Sequence, residues 1–141
     1  MAKQNWFPKQ ESARRTLLNN LADKLPGAYA TKYGITADEL TTLYSGAFGV
    51  LYAPFDEDYG YVTLEAFLAG KPVITASDSG GPLEFVVDRT NGLIRPPDAT
   101  SIAAAINELA ADRDRAAQLG RAGRDTAQAI TWDGVIDRLL A

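Results

Sequence analysis

The 141-residue sequence contains no cysteine and no histidine. Without histidine, Ser–His and Cys–His nucleophilic systems are excluded, and imidazole is not available as a metal ligand or general base. Without cysteine there are no disulfides, no thiolate-held zinc or iron–sulfur clusters and no thiol redox chemistry. Chemistry in this chain therefore depends on carboxylates, lysine and arginine, hydroxyl groups and backbone N–H groups.

Positive charge and long apolar runs are also scarce. The formal net charge is −4 at pH 7 and the basic residues form no cluster, which argues against nucleic acid or an anionic membrane as a partner. No apolar run approaches the roughly 18 residues of a transmembrane helix. The first eight residues lack the apolar region of a signal peptide. We therefore expect a cytoplasmic protein with no transmembrane segment, built as one domain with its own core.

Patterns typical of helices and of strands alternate along the chain. Apolar spacing predicts helices over about 10–25, 36–45, 61–69, 83–88, 99–111 and 132–140, with a polar, arginine-rich helix before the last. The predicted strands are 28–35, 47–53, 71–77 and 93–94. Thr36 and Glu39 match a capping box, and Asp98 and Thr131 are suitable N-caps. The alternation predicts an α/β fold with a parallel sheet.

The segment 54–74 carries the clearest chemical pattern. It places a strand end, a glycine-containing loop and a helix start in immediate succession. Ligands of open parallel sheets bind at the carboxyl ends of the strands, and free N–H groups around 60–63 favour phosphate. Glu57 and Glu65 flank those N–H groups, and a carboxylate accepts paired hydrogen bonds from adjacent sugar hydroxyls. The segment therefore suits a ligand with phosphates between hydroxyl-rich rings.

This segment resembles the donor-binding region of the GT-B retaining glycosyltransferases, the group 1 family that includes sucrose and mannosyl transferases. The family's Glu-x7-Glu motif reads Glu57-Asp-Tyr-Gly-Tyr-Val-Thr-Leu-Glu65 here. Flanking stretches also agree, at 51–54, 69–74, 78–84 and 91–94. The resemblance implies a Rossmann-like nucleotide-sugar-binding domain over 35–141, truncated at its N-terminal side. Residues 1–34 then form a segment with a helix that matches the family poorly.

The resemblance also implies roles for individual residues. Glu57 would be the catalytic residue and contact hydroxyls of the donor sugar, whereas Glu65 would bind the ribose hydroxyls. Backbone N–H groups near Gly60 would hold the sugar and diphosphate, with Leu64 close to the ribose. The full predicted donor site is Glu57, Asp58, Tyr59, Gly60, Tyr61, Val62, Thr63, Leu64 and Glu65. Asp58 and Tyr59 replace the commoner Gly-Phe of the motif. Because of the additional carboxylate, the motif does not indicate which sugar the site prefers.

Several neighbouring residues have two interpretations. Asp56-Glu57-Asp58 matches the D-x-D metal motif of another glycosyltransferase fold, but a solvated loop is the favoured interpretation because GT-B enzymes need no metal. We therefore expect no metal and no cofactor besides the nucleotide diphosphate sugar substrate. Ser79, Gly80 and Gly81 form either a phosphate cradle or a tight strand-to-helix turn. Outside the motif, Tyr44 and Tyr52 are interpreted as core residues, and Lys71 as a solvated charge.

The resemblance implies the donor-binding part of an enzyme that transfers a hexose with retention to an unidentified acceptor. A whole enzyme also has an N-terminal acceptor domain and an Arg/Lys pair that stabilises the leaving diphosphate. Neither is found in this sequence, so we expect the chain to bind the donor without turning it over. Two alternatives are a non-catalytic assembly half of a split glycosyltransferase and a receiver-type α/β signalling module. A receiver-type module needs an acidic pair after its first strand, an acceptor aspartate after its third strand and a lysine near its last strand. This sequence does not show that set of residues in that order.

A structural consequence concerns the predicted strand 47–53. The resemblance implies an earlier strand that pairs with it in the full domain, and we expect that strand to be lacking from this sequence. The apolar run at 48–52 would then form an exposed sheet edge, which is prone to aggregation. We therefore expect this edge to be covered, either by self-association of the chain or by the N-terminal segment.

Overall fold

The computed structural model describes residues 36–140. The chain divides into two units at Leu43/Tyr44, so the described residues are 36–43 of the first unit and 44–140 of the second. The helix predicted over 10–25 and the strand predicted over 28–35 lie outside the described residues.

Helix α1 spans Ala37–Gly46 and begins at the predicted capping box. The N–H of Glu39 donates to Thr36 Oγ1 at 3.3 Å, and the N–H of Thr36 donates to Glu39 Oε2 at 2.8 Å. Hydrogen bonds from the backbone and then the side chain of Thr36 lower the pKa of Glu39. This reciprocal pairing satisfies two N–H groups at the helix start, so the prediction of a helix here is confirmed.

Among residues 36–140, three short strands form one parallel sheet in the order β1-β2-β3. The strands are β1 at Val50–Leu51, β2 at Val73–Ala76 and β3 at Gly92–Arg95. In the register of the sheet, the first residue of β2 lies opposite the first residue of both β1 and β3. The predicted parallel α/β fold is confirmed.

The strands β1 and β2 are shorter than the predicted 47–53 and 71–77. Between them, the bonding begins where Val50 N–H donates to the carbonyl of Pro72 and ends where Tyr52 N–H donates to the carbonyl of Ile74, both at 2.9 Å. Proline residues at 54 and 72 have no N–H group to extend the pairing. Both predicted strands are therefore present, but each is shorter than predicted.

The helices of the described residues follow the predicted order. They are α2 at Tyr61–Leu68, α3 at Pro82–Phe85, α4 at Ala99–Ala111, α5 at Arg113–Gln128 and α6 at Trp132–Leu140. The side chain of Asp98 accepts from Ser101 N–H at 2.9 Å, and Thr131 Oγ1 accepts from Gly134 N–H at 3.2 Å. Both predicted N-caps are therefore confirmed. Asp112, which the sequence did not single out, caps α5.

Helix α3 ends earlier than its predicted end at residue 88, because Val86 is already extended. The reason lies in the buried side chain of Asn91. Its Oδ1 accepts from Val87 N–H at 2.7 Å, and its Nδ2 donates to the Phe85 carbonyl at 2.9 Å. These bonds satisfy backbone groups at the end of α3, so the chain can leave the helix at this point.

Helices cover both faces of the sheet. Consecutive strand residues point to opposite faces, and Val73 and Ile74 accordingly belong to different apolar clusters. The cluster on the Ile74 side includes buried residues of α4 and α5, namely Ile102, Ala105, Leu109, Ala116 and Leu119. The cluster on the Val73 side includes Ala66, Phe67, Val86 and Ala127. Layers on both faces bury the sheet, as α/β folds require.

Strand β1 lies at one edge of the described sheet, and β3 lies at the other. Within residues 36–140 strand β1 pairs only with β2, and both of its residues are half-buried. Cover of this strand by self-association stays a prediction, and the alternative cover by the N-terminal segment concerns residues outside the described ones. Among the described residues, the helices lack the combination of length and hydropathy needed to cross a membrane.

Candidate functional site

The site lies at the carboxyl end of the sheet, where two connections run side by side. The first follows β1 and leads to α2, and the second follows β2 and leads to α3. Asp56 N–H donates to the Asp78 carbonyl and Glu57 N–H to the Ser79 carbonyl, both at 3.0 Å. Gly81 N–H returns a bond of 2.6 Å to the Glu57 carbonyl. The backbone of Glu57 is therefore held by the neighbouring connection, as in a strand.

Glycines allow the two connections to approach this closely. Gly80 has φ +73°, and a methyl group there would lie 2.6 Å from the Glu57 carbonyl oxygen. A methyl group on Gly81 would lie 2.6 Å from Tyr59 Cα, and one on Gly60 would lie 2.8 Å from the ring of Pro82. All three positions therefore exclude larger side chains, and Gly60 and Gly80 additionally need the left-handed conformation.

Residues 79–81 form a tight connection between β2 and α3. The Ser79 side chain is fully buried, and its Oγ accepts from Ala76 N–H at 3.1 Å. The Gly81 N–H is already bonded to Glu57. The Ser79 hydroxyl thus accepts one bond and the Gly81 N–H donates one within the protein, while contact of Ser79, Gly80 and Gly81 with a ligand stays a prediction.

Helix α2 presents its N-terminus at the same end of the sheet. Gly60 is the N-cap, with φ 84°, and provides no side-chain cap. The N–H of Thr63 donates to the Gly60 carbonyl at 2.9 Å. The N–H groups of Tyr61 and Val62, the first two helical positions, have no intrahelical acceptor. Together with the helix dipole, they favour an anion at this position.

Both carboxylates of the Glu-x7-Glu motif are exposed, and each accepts a hydrogen bond from a tyrosine. The hydroxyl of Tyr52 donates to Glu57 Oε2 at 3.2 Å, and the hydroxyl of Tyr44 donates to Glu65 Oε2 at 3.1 Å. Burial, followed by the charge of Glu65, raises the pKa of Tyr44 to about 12. Burial and Glu57 likewise raise the pKa of Tyr52. Both phenols therefore remain protonated donors at neutral pH.

The interpretation of these tyrosines as core residues was incomplete. Their rings are half-buried and pack against the cluster on the Val73 side, but their hydroxyls reach the two carboxylates. Tyr44 and Glu65 are 21 residues apart, and no sequence pattern signals such a contact. For Tyr52, the alternation of side chains along the strand gave only a weak indication of its orientation, because it places Tyr52 on the same face as Val50.

The interpretation of Lys71 as a solvated charge was also incomplete. Its side chain is half-buried, and Nζ donates to the Ser45 carbonyl at 3.0 Å. Ser45 lies in the last turn of α1, where carbonyl groups lack intrahelical donors and favour a cation. Lys71 thus caps α1 beside Tyr44.

The other predicted site residues differ in exposure. Asp58 is exposed, as are Tyr59 and Tyr61 at 38% and 70%. The Tyr59 ring lies 4.7 Å from the Tyr61 ring and 5.2 Å from the Phe85 ring, measured between centroids. Val62 and Leu64 are half-buried, and Thr63 is fully buried. The side chain of Thr63 therefore faces the interior. Among residues 36–140, no group of three histidine, cysteine or acidic side chains is placed to hold a metal ion.

Comparison with known proteins identifies the family of this chain. Residues 14–126 match the family described as Glycosyl transferases group 1. The chain belongs to this family. The region that matches the family begins at residue 14, within the predicted N-terminal segment 1–34. It therefore begins earlier than the domain over 35–141 that the motifs predicted. Membership of the family confirms that resemblance and leaves no support for the receiver-type alternative.

Two curated relatives show how much of a whole protein the group 1 domain represents. This chain is 29% identical over 118 residues to D-inositol 3-phosphate glycosyltransferase of Streptomyces avermitilis, and the alignment covers 82% of this chain and 25% of the relative. It is 34% identical over 99 residues to alpha-1,3/1,6-mannosyltransferase of Mus musculus, covering 70% of this chain and 24% of the relative. The chain therefore spans about a quarter of the length of these relatives.

Solved structures confirm the GT-B fold of the group 1 domain. Sucrose-phosphate synthase from Thermosynechococcus elongatus superimposes with a TM-score of 0.70 at 25% identity, covering 90% of this chain and 40% of that chain. Anabaena HepE in complex with UDP and glucose gives a TM-score of 0.54 at 29% identity, covering 64% of this chain and 25% of that chain.

Proposed function

We propose that this chain is the donor-binding part of a retaining glycosyltransferase that uses a nucleotide diphosphate hexose. The observation that carries the proposal is the arrangement around the start of α2. Two exposed carboxylates, each hydrogen-bonded to a tyrosine, flank a helix N-terminus at the carboxyl end of a parallel sheet. Family membership supports the same class of reaction, and the HepE structure holds UDP and glucose.

The arrangement matches the parts of such a donor. The diphosphate carries negative charge, which the first N–H groups of α2 and the helix dipole attract. Glu65 lies in the second turn of α2, roughly 5 Å further along the helix axis, where it can accept from ribose hydroxyls. Glu57 precedes the helix and can accept from hydroxyls of the sugar, which makes it the proposed catalytic residue. A ligand with both hydroxyl-rich ends would thus engage both carboxylates.

The proposal extends to cofactors and turnover. The backbone N–H groups, rather than a metal, neutralise the diphosphate, so binding needs no divalent cation. The 141 residues span about a quarter of the length of the relatives, and they show no Arg/Lys pair in the context that stabilises a leaving diphosphate. These residues by themselves therefore bind the donor and turn it over little or not at all. The proposed location of the protein is the cytoplasm.

Titration calorimetry with the 141-residue chain tests the proposal. The probes are UDP, GDP and ADP, together with UDP-glucose, GDP-mannose and ADP-glucose. We expect one base series to bind with a stoichiometry of one, and to bind equally well with added EDTA. A chain that is folded by circular dichroism and binds none of the six would contradict the proposal and favour a non-catalytic assembly half. A requirement for Mg²⁺ would contradict the metal-free site alone.

A further inference from the structure

We propose that Tyr44 and Tyr52 are positioning residues, which hold the carboxylates of Glu65 and Glu57 in the orientation that the donor requires. The inference rests on the proposed function and adds a mechanism to it. Each tyrosine serves one carboxylate: Tyr44 donates to Glu65 Oε2 at 3.1 Å, and Tyr52 donates to Glu57 Oε2 at 3.2 Å.

Both tyrosines are firmly anchored. The N–H of Tyr52 donates to the Ile74 carbonyl at 2.9 Å, so its backbone belongs to the sheet. Tyr44 lies in the last turn of α1, where the adjacent Ser45 carbonyl accepts from Lys71 Nζ at 3.0 Å. The two rings pack against the same apolar cluster on the Val73 side of the sheet. The hydroxyls therefore have little freedom to move away from the carboxylates.

The tyrosines leave each carboxylate able to bind a ligand. An ionised carboxylate offers about four lone-pair sites on two oxygens, and each tyrosine uses one site on Oε2. Both Glu57 and Glu65 are exposed. The remaining sites, including those on Oε1, are available to the adjacent hydroxyls of a sugar ring.

The benefit of this arrangement is entropic. An exposed glutamate samples many rotamers, and ordering it on ligand binding opposes association. A tyrosine that already holds the carboxylate removes much of this loss before the ligand arrives. A phenol with the ordinary pKa of 10.0 is already a protonated donor at neutral pH, and the raised pKa of both tyrosines extends this state to higher pH.

Phenylalanine variants test the proposal, because they remove the hydroxyl and keep the ring. The probes are the nucleoside diphosphate and its hexose conjugate that bind the unaltered chain best among the uridine, guanosine and adenosine pairs. We expect Tyr44→Phe to weaken binding of both probes roughly three- to tenfold. Tyr52→Phe should weaken the hexose conjugate by a similar factor and leave the nucleoside diphosphate unchanged. Each variant is the control for the other.

A double variant separates positioning from general damage. If Tyr44 acts through Glu65, then Tyr44→Phe combined with Glu65→Gln should bind no more weakly than Glu65→Gln alone. Additive losses, or equal losses in both phenylalanine variants for both probes, would overturn the proposal. Thermal unfolding of each variant confirms that the chain remains folded.

A measurement without ligand keeps this proposal distinct from the proposed function. Carbon-13 relaxation of labelled glutamate side chains reports their order on the picosecond-to-nanosecond timescale. We expect Tyr44→Phe to lower the order of Glu65 alone, and Tyr52→Phe to lower the order of Glu57 alone. Unchanged order would overturn the positioning role even if the donor binds. Failure of every nucleotide to bind, with the expected loss of order, would overturn the proposed function and leave the anchoring of the carboxylates supported.

Discussion

The backbone N–H of Gly81 donates a hydrogen bond of 2.6 Å to the carbonyl oxygen of Glu57. The N–H of Glu57 in turn donates to the Ser79 carbonyl at 3.0 Å. The loop after β2 thus holds the loop after β1 on both sides of Glu57. An exposed acidic residue of the motif therefore sits on a backbone as constrained as that of a strand, which is what a precise binding site requires.

Alanine substitution of the two glutamates should separate the nucleotide from the sugar. We expect Glu65→Ala to weaken binding of the nucleoside diphosphate itself by about 1.5–3 kcal/mol, the range for hydrogen bonds to charged groups. Glu57→Ala should weaken binding only when the hexose is attached. Titration calorimetry with both forms of the ligand measures the difference.

Glu84 provides a control for this experiment, because it is an exposed carboxylate on α3. Glu84→Ala should leave binding of both ligand forms unchanged. Equal effects of Glu57→Ala and Glu65→Ala on the free nucleoside diphosphate would contradict the assigned division of roles.

Alanine at Gly80 should destabilise the site more than alanine at Gly70. The two glycines have similar φ values, +73° and +69°, but a Cβ at Gly70 meets nothing within 4 Å. Gly70→Ala should therefore lower the free energy of unfolding by about 1–2 kcal/mol, the strain of a left-handed residue. Gly80→Ala should lose a further 1–3 kcal/mol or so from the overlap with Glu57.

Urea denaturation of both glycine variants measures this difference. Gly80→Ala should also bind the nucleotide sugar more weakly under conditions in which it is folded, because the Glu57 backbone must shift. Equal stability of the two variants would show that the two loops are not closely packed in solution.

Valine at Thr75 should stabilise the fold. Thr75 is fully buried on β2, and no partner for its Oγ1 is found among the described residues. A buried hydroxyl without a hydrogen bond is costly, and valine has nearly the same shape. We expect Thr75→Val to raise the free energy of unfolding by about 1 kcal/mol, measured by urea denaturation.

Thr126 is the matched control for this substitution. Its hydroxyl donates to the Ala122 carbonyl at 2.9 Å and accepts from Asn91 Nδ2 at 3.3 Å. Thr126→Val removes both bonds and should lower the stability. Stabilisation by Thr126→Val, or destabilisation by Thr75→Val, would contradict this account of the two hydroxyls.

Asp98 should make part of the stability depend on pH. Hydrogen bonds from the side chain and then the N–H of Ser101 lower the pKa of Asp98 from its ordinary value of 3.8. Because the folded state binds this proton less readily, the contribution is fully present above about pH 4 and is lost as the pH falls through the folded pKa. The free energy of unfolding should therefore decline below this pH.

Asp98→Asn isolates this effect, because asparagine is an equally good N-cap that does not titrate. Urea denaturation at pH 7, 5 and 3 should show a smaller acid-induced loss in the variant than in the unaltered chain. Parallel pH profiles would show that Asp98 does not contribute.

Local signals explain which elements are predictable. The bounds of α4 and α6 follow from the sequence because Asp98 and Thr131 cap the helices at positions that short-range patterns reveal. The motif from Glu57 to Glu65 is likewise contiguous, so the candidate site could be recognised before its geometry was known. The end of α3 could not, because the side chain of Asn91 reaches back to it from outside the helix.

By itself, the sequence determined the alternation of helices and strands, the N-caps and the position of the acidic motif, since these depend on neighbouring residues. Only the tertiary structure decided that Tyr44 holds Glu65 and that Gly80 packs on Glu57. Such contacts join residues far apart in the chain, and their partners are chosen by the packing of helices and loops on the sheet. Because histidine and cysteine are absent, the proposed binding site consists of carboxylates, phenols and backbone N–H groups. The fold brings these groups together at one end of the sheet.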